Sequence, residues 1–469
     1  MNVVIARYVR NPDNYFFDLF DVTAAALLRQ TGHNADVVEV MALDRKGNGV
    51  SPDLLVEAMR PFSPDVVFLP YLPQRELAVV IAEELSPQIV AFGSRLLLEI
   101  PEVSFVLPEV DPLACAQLVE NLASHGELGG IPGLCFRDQG NVGVNPGPVH
   151  SVKEIFEAAL PDYSTLKSYG PGKPVEVRKH VAGDWGCPYR HTLATGVDFG
   201  SSEPSVLSGG CTFCSRPYPD GTPVGQKCDV IESQLRVLLP AFPLMRKLIL
   251  IDEMGLAYVD RVAGILDELG VWDLQLLVSG RLDHLSRYQE NLFRALEILK
   301  PRNAGIRLYQ FGIENLSDSV LVRYNKGISY DGIRTGIGRI SEWTSRSSNL
   351  TVEPSFGFIL FDPWTTPDEL WENVERRVES QLDKVRGQAV FTHLRLQPEI
   401  PLFWQARADG LLDESVADSA FGYSANAGWR FADPRVGRVY EELNARRGEE
   451  PPWVLLRGAL LKFAPREGG

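Results

Sequence analysis

The first 110 residues alternate short apolar runs with amphipathic stretches, and this alternation leaves few architectures open. "NVVIARYV", "ADVVEVM", "DVVFLPYL" and "QIVAFGS" read as strands. "VTAAALLRQTG" reads as a helix closed by glycine, "SPDLLVEAMRPF" as a helix opened by a Ser-Pro cap, and "RELAVVIAEEL" as a third helix. Strands that are apolar along their whole length are buried on both faces. Separated by helices, they predict a doubly wound parallel sheet, whose ligands sit at the carboxyl ends of the strands.

The segment from Val103 to Gly147 continues the pattern with a strand, a helix and the hairpin "FRDQGNVGVN". Residues 1–147 are therefore expected to form one domain. Residues 148–180, with "LPDYSTLKSYGPGKP", have the composition of a linker. A second alternation follows over residues 181–410. Its strand-like runs are "KLILIDEM", "LQLLVSGR", "GIRLYQFGIE", "TVEPSFGFILF" and "AVFTHLRLQ". Between them lie helical stretches such as "YVDRVAGILDELG" and "PDELWENVERRVESQL". Repeated strand-helix units predict a full or partial (β/α) barrel with its chemistry on the carboxyl-end loops. Residues 411–469 read as a mostly helical appendix.

Composition narrows the partners. The net charge of −15 leaves no surplus of Lys and Arg to neutralise a phosphate backbone, so nucleic acid is not expected. No run of 18 apolar residues suggests a membrane span, and "MNVVIARYVR" enters its first strand without a leader pattern. A cytoplasmic protein is expected. Six cysteines are too few and too scattered to staple a chain of 469 residues.

Three of those cysteines stand in the pattern C-x23-C-x2-C: Cys187, Cys211 and Cys214. A C-x-x-C alone serves zinc, iron-sulfur clusters and redox pairs equally. Three thiolates without an obvious fourth partner fit a [4Fe-4S] cluster that keeps one iron open. The alternative is a zinc site using Cys187, His191, Cys211 and Cys214, within a noncatalytic binding protein. Cys115, Cys135 and Cys228 read as packed thiols.

"GCPYR…GGCTFCSRP" resembles the cluster loop of radical S-adenosylmethionine (SAM) enzymes, which commonly reads G-C-P-x-x-C-x-F-C. Where that loop has its second cysteine, this chain has His191 and an insertion, Thr192 to Gly210. The resemblance implies that Cys187, Cys211 and Cys214 ligate the cluster, with Phe213 shielding it and the insertion looped out. Loop closure costs little more as a loop lengthens, which makes such an insertion tolerable. "LILIDEMGL" resembles the family's second strand and implies cofactor contacts from Asp252 and Glu253. "LLVSGRLDHL" implies contacts from Ser279 and Arg281, with Asp283 beside them. "YQFGIENLSDSVLVRYNKGIS" resembles the block "fGiEs…L…nKg", giving Gly312 and Glu314 cofactor roles and making Asn325-Lys326-Gly327 a cap. "SFGFILFDPWTTPDEL" and "THLRLQPEIPLF" resemble the last two strands, with Gly357 and Arg395 at the SAM site.

The amino-terminal domain, the hairpin and "AALPDYSTL" resemble the subfamily that carries a cobalamin-binding domain ahead of the barrel. The fold class so implied is α/β: a Rossmann-like doubly wound sheet, a partial (β/α)6 radical SAM barrel and a helical appendix. The loop "RYVRNPDNYFFDLF" has no histidine for an axial ligand. Cobalamin contacts would then come from strand-end loops, including Tyr71, Leu72, Gly93 and Ser94. The implied cofactors are a [4Fe-4S] cluster, SAM and cobalamin. The implied activity is SAM cleavage to a 5′-deoxyadenosyl radical, followed by carbon methylation or another radical reaction. The substrate would be a small metabolite, a natural-product intermediate or a peptide, and the electron donor a reductant such as flavodoxin or ferredoxin. A radical SAM enzyme whose front domain lacks cobalamin is a further alternative. Asp198 and Glu203 in the insertion, with His191 and His393, are candidates for polar contacts near the barrel mouth.

Overall fold

The computed structural model describes residues 1–9, 16–17, 19–41, 52–70, 75–93, 95–107, 110–138, 141–147, 150–169, 178–180, 185–189, 191–192, 209–214, 221–309, 311–353, 357–385, 389–397, 400–413 and 428–466. The chain divides into two compact units. One comprises Met1–Trp185, Pro219–Ile251 and Asp418–Ala425; the other comprises Gly186–Tyr218, Asp252–Ala417 and Asn426–Gly469. Among the described residues no helix is long and apolar enough to cross a membrane.

The first unit runs β1 (Asn2–Val9), β2 (Phe16–Phe17), α1 (Leu19–Gln30), β3 (Asn34–Met41), α2 (Pro52–Met59), β4 (Val66–Leu69), α3 (Arg75–Leu85), β5 (Gln88–Phe92) and β6 (Val103–Leu107). It continues with α4 (Pro112–Ser124), β7 (Cys135–Asp138), β8 (Asn141–Val144), α5 (Val152–Ala158), β9 (Leu166–Tyr169), β10 (Arg178–His180), α6 (Val224–Ala241) and β11 (Lys247–Leu250). One sheet has the order β8-β7-β6-β5-β4-β1-β3-β9. Its strands are parallel from β9 to β6, and the β7-β8 hairpin adds an antiparallel edge.

Strand alternation sends side chains to two separate cores. Val3, Ile5, Val37, Val66, Phe68 and Val90 pack with α1 and α4, whereas Val4, Ala6, Val38, Val67, Leu69 and Ile89 pack with α2 and α3. The sheet is doubly wound, as the apolar strands predicted. Cys115 lies in the first core and Cys135 in the second, both as packed thiols. Strand order reverses between β1 and β4, which makes their carboxyl ends the ligand-binding edge of this topology. Of the strand-end residues expected there, Tyr71, Leu72 and Ser94 lie outside the described residues. Gly93 closes β5 at φ +122°, and its amide donates to Leu107 O at 2.8 Å.

The expected linker is only partly one. Ser151 and Glu154 form a capping box that starts α5, and β9 pairs in parallel with β3, with Leu166 opposite Val37. The Gly- and Pro-rich sequence responsible for the linker reading is confined to residues 170–177, outside the described residues.

The second unit carries α7 (Val259–Glu268), β12 (Gln275–Val278), α8 (His284–Arg287), α9 (Gln289–Leu299), β13 (Gly305–Leu308), α10 (Asp318–Arg323), α11 (Tyr330–Arg346), β14 (Leu350–Val352) and α12 (Pro367–Ser380). After these come α13 (Pro401–Ala408), β15 (Leu412–Asp413), β16 (Gly428–Trp429), α14 (Pro434–Ala445) and α15 (Pro452–Phe463). Strands β12, β13 and β14 are parallel neighbours. Beyond their ends the pairing continues as single parallel bridges: Arg281 with Gly312, Glu314 with Phe358, and Phe361 with His393. Among the described residues, the run "TVEPSFGFILF" is therefore a strand only at its start, and "AVFTHLRLQ" reaches only a bridge. Gly357 O accepts from both Ile313 N and Glu314 N, each at 3.0 Å, an arrangement that a regular ladder cannot continue. In the appendix α14 and α15 pack together, and Trp371 Nε1 donates to Ala464 O at 3.1 Å.

Candidate active site

The end of α10 organises the cysteine segment. A helix leaves its last carbonyls without partners, and here Thr212 takes two of them. Its amide donates to Tyr324 O at 3.1 Å and its hydroxyl to Arg323 O at 2.9 Å. Thr212 O in turn accepts from Leu402 N, which ties the segment to the start of α13. Asn325 follows the helix at φ +47°, a left-handed conformation that asparagine tolerates well. Its side-chain amide donates to His191 O at 3.0 Å and to Gly210 O at 2.8 Å. Thr192 pairs with Gly209 in an antiparallel bridge, and Gly210 N donates to His191 O. The two sides of the insertion thus meet at a closed neck.

Cys187 lies four residues before one side of this neck, and Cys211 directly follows the other. Cys187, Cys211 and Cys214 form no disulfide and are half-buried, whereas Cys115, Cys135 and Cys228 are buried. A tight turn joins the pair, with Cys214 N donating to Cys211 O at 3.2 Å. Burial pushes the Cys211 thiol up; Lys326 and Arg281 pull it back down, while Glu314 and Cys187 add to the rise.

Arg281 lies at the centre of this group and is 3% exposed. Its guanidinium stands 3.9 Å from Cys211 Sγ, donates to Lys326 O at 2.9 Å and pairs with Asp283 at 3.1 Å. It also covers the Tyr189 ring, 3.9 Å from the centroid, and Tyr189 stacks on His191. Lys326 and Glu314 form a buried ion pair at 2.8 Å. A Cβ at Gly312 would run into Glu314 Oε1 and stand 2.5 Å from Lys326 Nζ, so that glycine makes room for the pair. A Cβ at Gly357 would lie 3.3 Å from Glu314 Oε2. Gly327, at φ +68°, leaves its Cβ position to the Tyr189 hydroxyl.

The structure therefore brings Cys211, Arg281, Gly312, Glu314 and Gly357 together, with Cys187 at the other side of the closed neck. Ser279, 5% exposed, has a hydroxyl with no hydrogen-bond partner among the described residues. Asp252 is buried and serves its own turn, its carboxylate accepting from Met254 N at 2.8 Å and from the Tyr258 hydroxyl at 2.6 Å. Half-buried Glu253 offers its carbonyl to His284 Nδ1 at 3.4 Å. Arg395 is exposed beside His393, whose pKa burial and Arg395 both lower. Phe213 packs edge-on against Tyr324, with the Lys326 ammonium 5.6 Å from its ring centroid. Asp198 and Glu203 lie outside the described residues.

Sequence reasoning missed Tyr189, the Lys326 pairing and the grip of Thr212 and Asn325. It also missed Arg323, which anchors α10 by pairing with buried Asp362 and Glu369, each at 3.0 Å. The block "VRYNKG" holds most of these residues and was the available signal, read there only as a cap.

Half-buried thiols, with buried Arg281 3.9 Å from Cys211 Sγ to offset thiolate charge, are a donor set suited to an iron-sulfur cluster. Among the described residues no three His, Cys, Asp or Glu side chains are placed to hold a metal ion. A four-iron cube spreads its cysteines around a wider body than one ion.

No protein-family model matches the chain, and no curated protein does. Solved structures do. The cobalamin-dependent S-adenosylmethionine radical enzyme OxsB, with aqua-cobalamin and S-adenosylmethionine bound, superposes with a TM-score of 0.62 at 14% identity, covering 95% of this chain and 66% of that one. OxsB with aqua-cobalamin bound gives 0.64 at 13% identity, covering 100% and 74%. The radical S-adenosylmethionine methyltransferase TsrM from Kitasatospora setae, with cobalamin and a [4Fe-4S] cluster bound, gives 0.54 at 15% identity, covering 87% and 78%. The chain spans about two thirds to three quarters of the OxsB chains it matches. It has the fold of cobalamin-dependent radical SAM enzymes: the doubly wound sheet and the parallel strand-helix unit occur together in one chain.

Proposed function

We propose that this chain is a cobalamin-dependent radical SAM enzyme that modifies, by methylation or a related radical step, an unactivated carbon of a small metabolite, natural-product intermediate or peptide. One observation carries the reading. In a chain of this fold, the end of α10 closes the neck of the insertion that separates Cys187 from Cys211, and Arg281 stands 3.9 Å from Cys211 Sγ.

Cys187, Cys211 and Cys214 would hold a [4Fe-4S] cluster, and loops at the carboxyl ends of β1, β4 and β5 would hold cobalamin. When bound, the cluster supplies the electron that cleaves SAM, and cobalamin supplies a methyl carrier. Arg281 and Lys326, both buried, would offset thiolate charge. The unpartnered Ser279 hydroxyl offers a hydrogen bond to SAM, and Gly312 and Gly357 keep side chains clear of that approach. Phe213 screens one side of the cysteine turn. A one-electron reductant such as flavodoxin or ferredoxin would act as donor.

Anaerobic reconstitution tests the reading. The wild type should take up about four irons and four sulfides per chain, the content of one [4Fe-4S] cluster. Cys211→Ala should lose cluster and SAM cleavage, and Cys228→Ala should keep both. Added hydroxocobalamin should give a protein-bound cobalt spectrum. A colourless protein holding zinc instead of iron overturns the proposal.

A further inference from the structure

We infer that Asn325 and Thr212 are positioning residues that let a cluster loop with a long internal insertion assemble, the helix α10 terminus acting as the template. The inference rests on the cluster reading given above. Its basis is a reciprocal exchange of hydrogen bonds. Thr212 satisfies the last carbonyls of α10, Arg323 O and Tyr324 O, and the residue following the helix, Asn325, satisfies His191 O and Gly210 O. On the cysteine side of this exchange, His191 lies four residues after Cys187, and Gly210 and Thr212 flank Cys211.

The template is itself fixed. Arg323 reaches Asp362 and Glu369, Glu369 also accepts from Ser319 at 2.7 Å, and Asn325 N and Lys326 N return to Val322 O and Leu321 O. A buried ionic network thus holds the helix end from below, while the end holds both sides of the neck from above. Neither Asn325 nor Thr212 offers a ligand to iron; each acts through the cysteines beside it. An insertion adds conformational freedom to the loop, and two hydrogen bonds across its neck withdraw that freedom where the cysteines need it withdrawn.

Four proteins test this after anaerobic reconstitution: wild type, Asn325→Gly, Thr212→Val and Thr212→Ser. Glycine keeps the left-handed backbone and deletes the clamp, valine keeps the shape of threonine without its hydroxyl, and serine restores that hydroxyl. Cluster loss to a chelator should be about tenfold faster in Asn325→Gly and Thr212→Val, the scale of one or two hydrogen bonds. Thr212→Ser should lose cluster at the wild-type rate. The reduced-cluster electron paramagnetic resonance signal should broaden in the two impaired variants. Wild-type retention and spectra in Asn325→Gly overturn the inference while leaving the cluster reading standing. A wild type that takes up no iron overturns both.

Discussion

Lys326 Nζ stands 2.8 Å from Glu314 Oε1, and both side chains are buried. Burial opposes the ammonium charge, but Glu314 beside it prevails and holds Lys326 above its usual pKa range. Removing one partner strands the other. Lys326→Met should cost about 3–5 kcal/mol in chemical unfolding of the cluster-free protein, because Glu314 is left as an unpaired buried carboxylate. The double variant Lys326→Met with Glu314→Gln should recover part of that loss. A cost below about 1 kcal/mol would place this pair with ordinary surface ion pairs.

Gly312 and Gly338 should respond in opposite directions to the same substitution. A methyl group at Gly312 meets the Glu314 carboxylate and Lys326 Nζ, whereas one at Gly338, exposed on α11, meets nothing within 4 Å. Gly312→Ala should destabilise by about 1–3 kcal/mol through overpacking. Gly338→Ala should stabilise by roughly 0.5–1 kcal/mol, since alanine loses less backbone entropy in a helix interior. Urea unfolding of the two variants and wild type reads both signs in one experiment, and equal shifts would contradict the crowding at Gly312.

Arg281 brings a permanent positive charge to 3.9 Å from Cys211 Sγ. Such a charge favours the more reduced, more negative state of a neighbouring cluster. Arg281→Met should therefore lower the midpoint potential in a spectroscopic redox titration, and Arg281→Lys should fall between it and wild type. An unchanged potential in Arg281→Met would mean that Asp283, paired with Arg281 at 3.1 Å, already cancels its field.

The elements most legible in the sequence were those written in local periodicity. Val3, Val4, Ile5 and Ala6 are all buried, on alternate faces, which is what an uninterrupted apolar run demands of a doubly covered strand. β9 escaped notice because a short edge strand among Pro and Gly carries no alternation long enough to read. The segments holding Phe358, Phe361 and His393 look like strands yet, among the described residues, pair at single bridges, since apolar content does not report whether a ladder continues. At the candidate site the residue types were visible and their partners were not. Glu314 reads as a cofactor contact because nothing local marks Lys326 as its counter-ion, and Asn325 reads as a cap because its other role depends on a neck more than a hundred positions upstream.

The closed neck makes a prediction about the insertion itself. Thr192 and Gly209 already form an antiparallel pair, and Asn325 holds the carbonyls flanking them. Two-residue Asn-Gly turns are the commonest way to join such a pair, because their twist matches that of the strands they connect. Replacing residues 193–208 by Asn-Gly should therefore preserve iron and sulfide content and the spectrum of the reduced cluster, since the neck bonds remain and the loop to be closed is shorter. Combining the replacement with Asn325→Gly should restore only part of the retention lost in the single variant, because a two-residue turn supplies closure but not the amide donors. Loss of the cluster from the Asn-Gly protein would show that residues within 193–208 take part in holding it, and would remove the case for a self-sufficient neck.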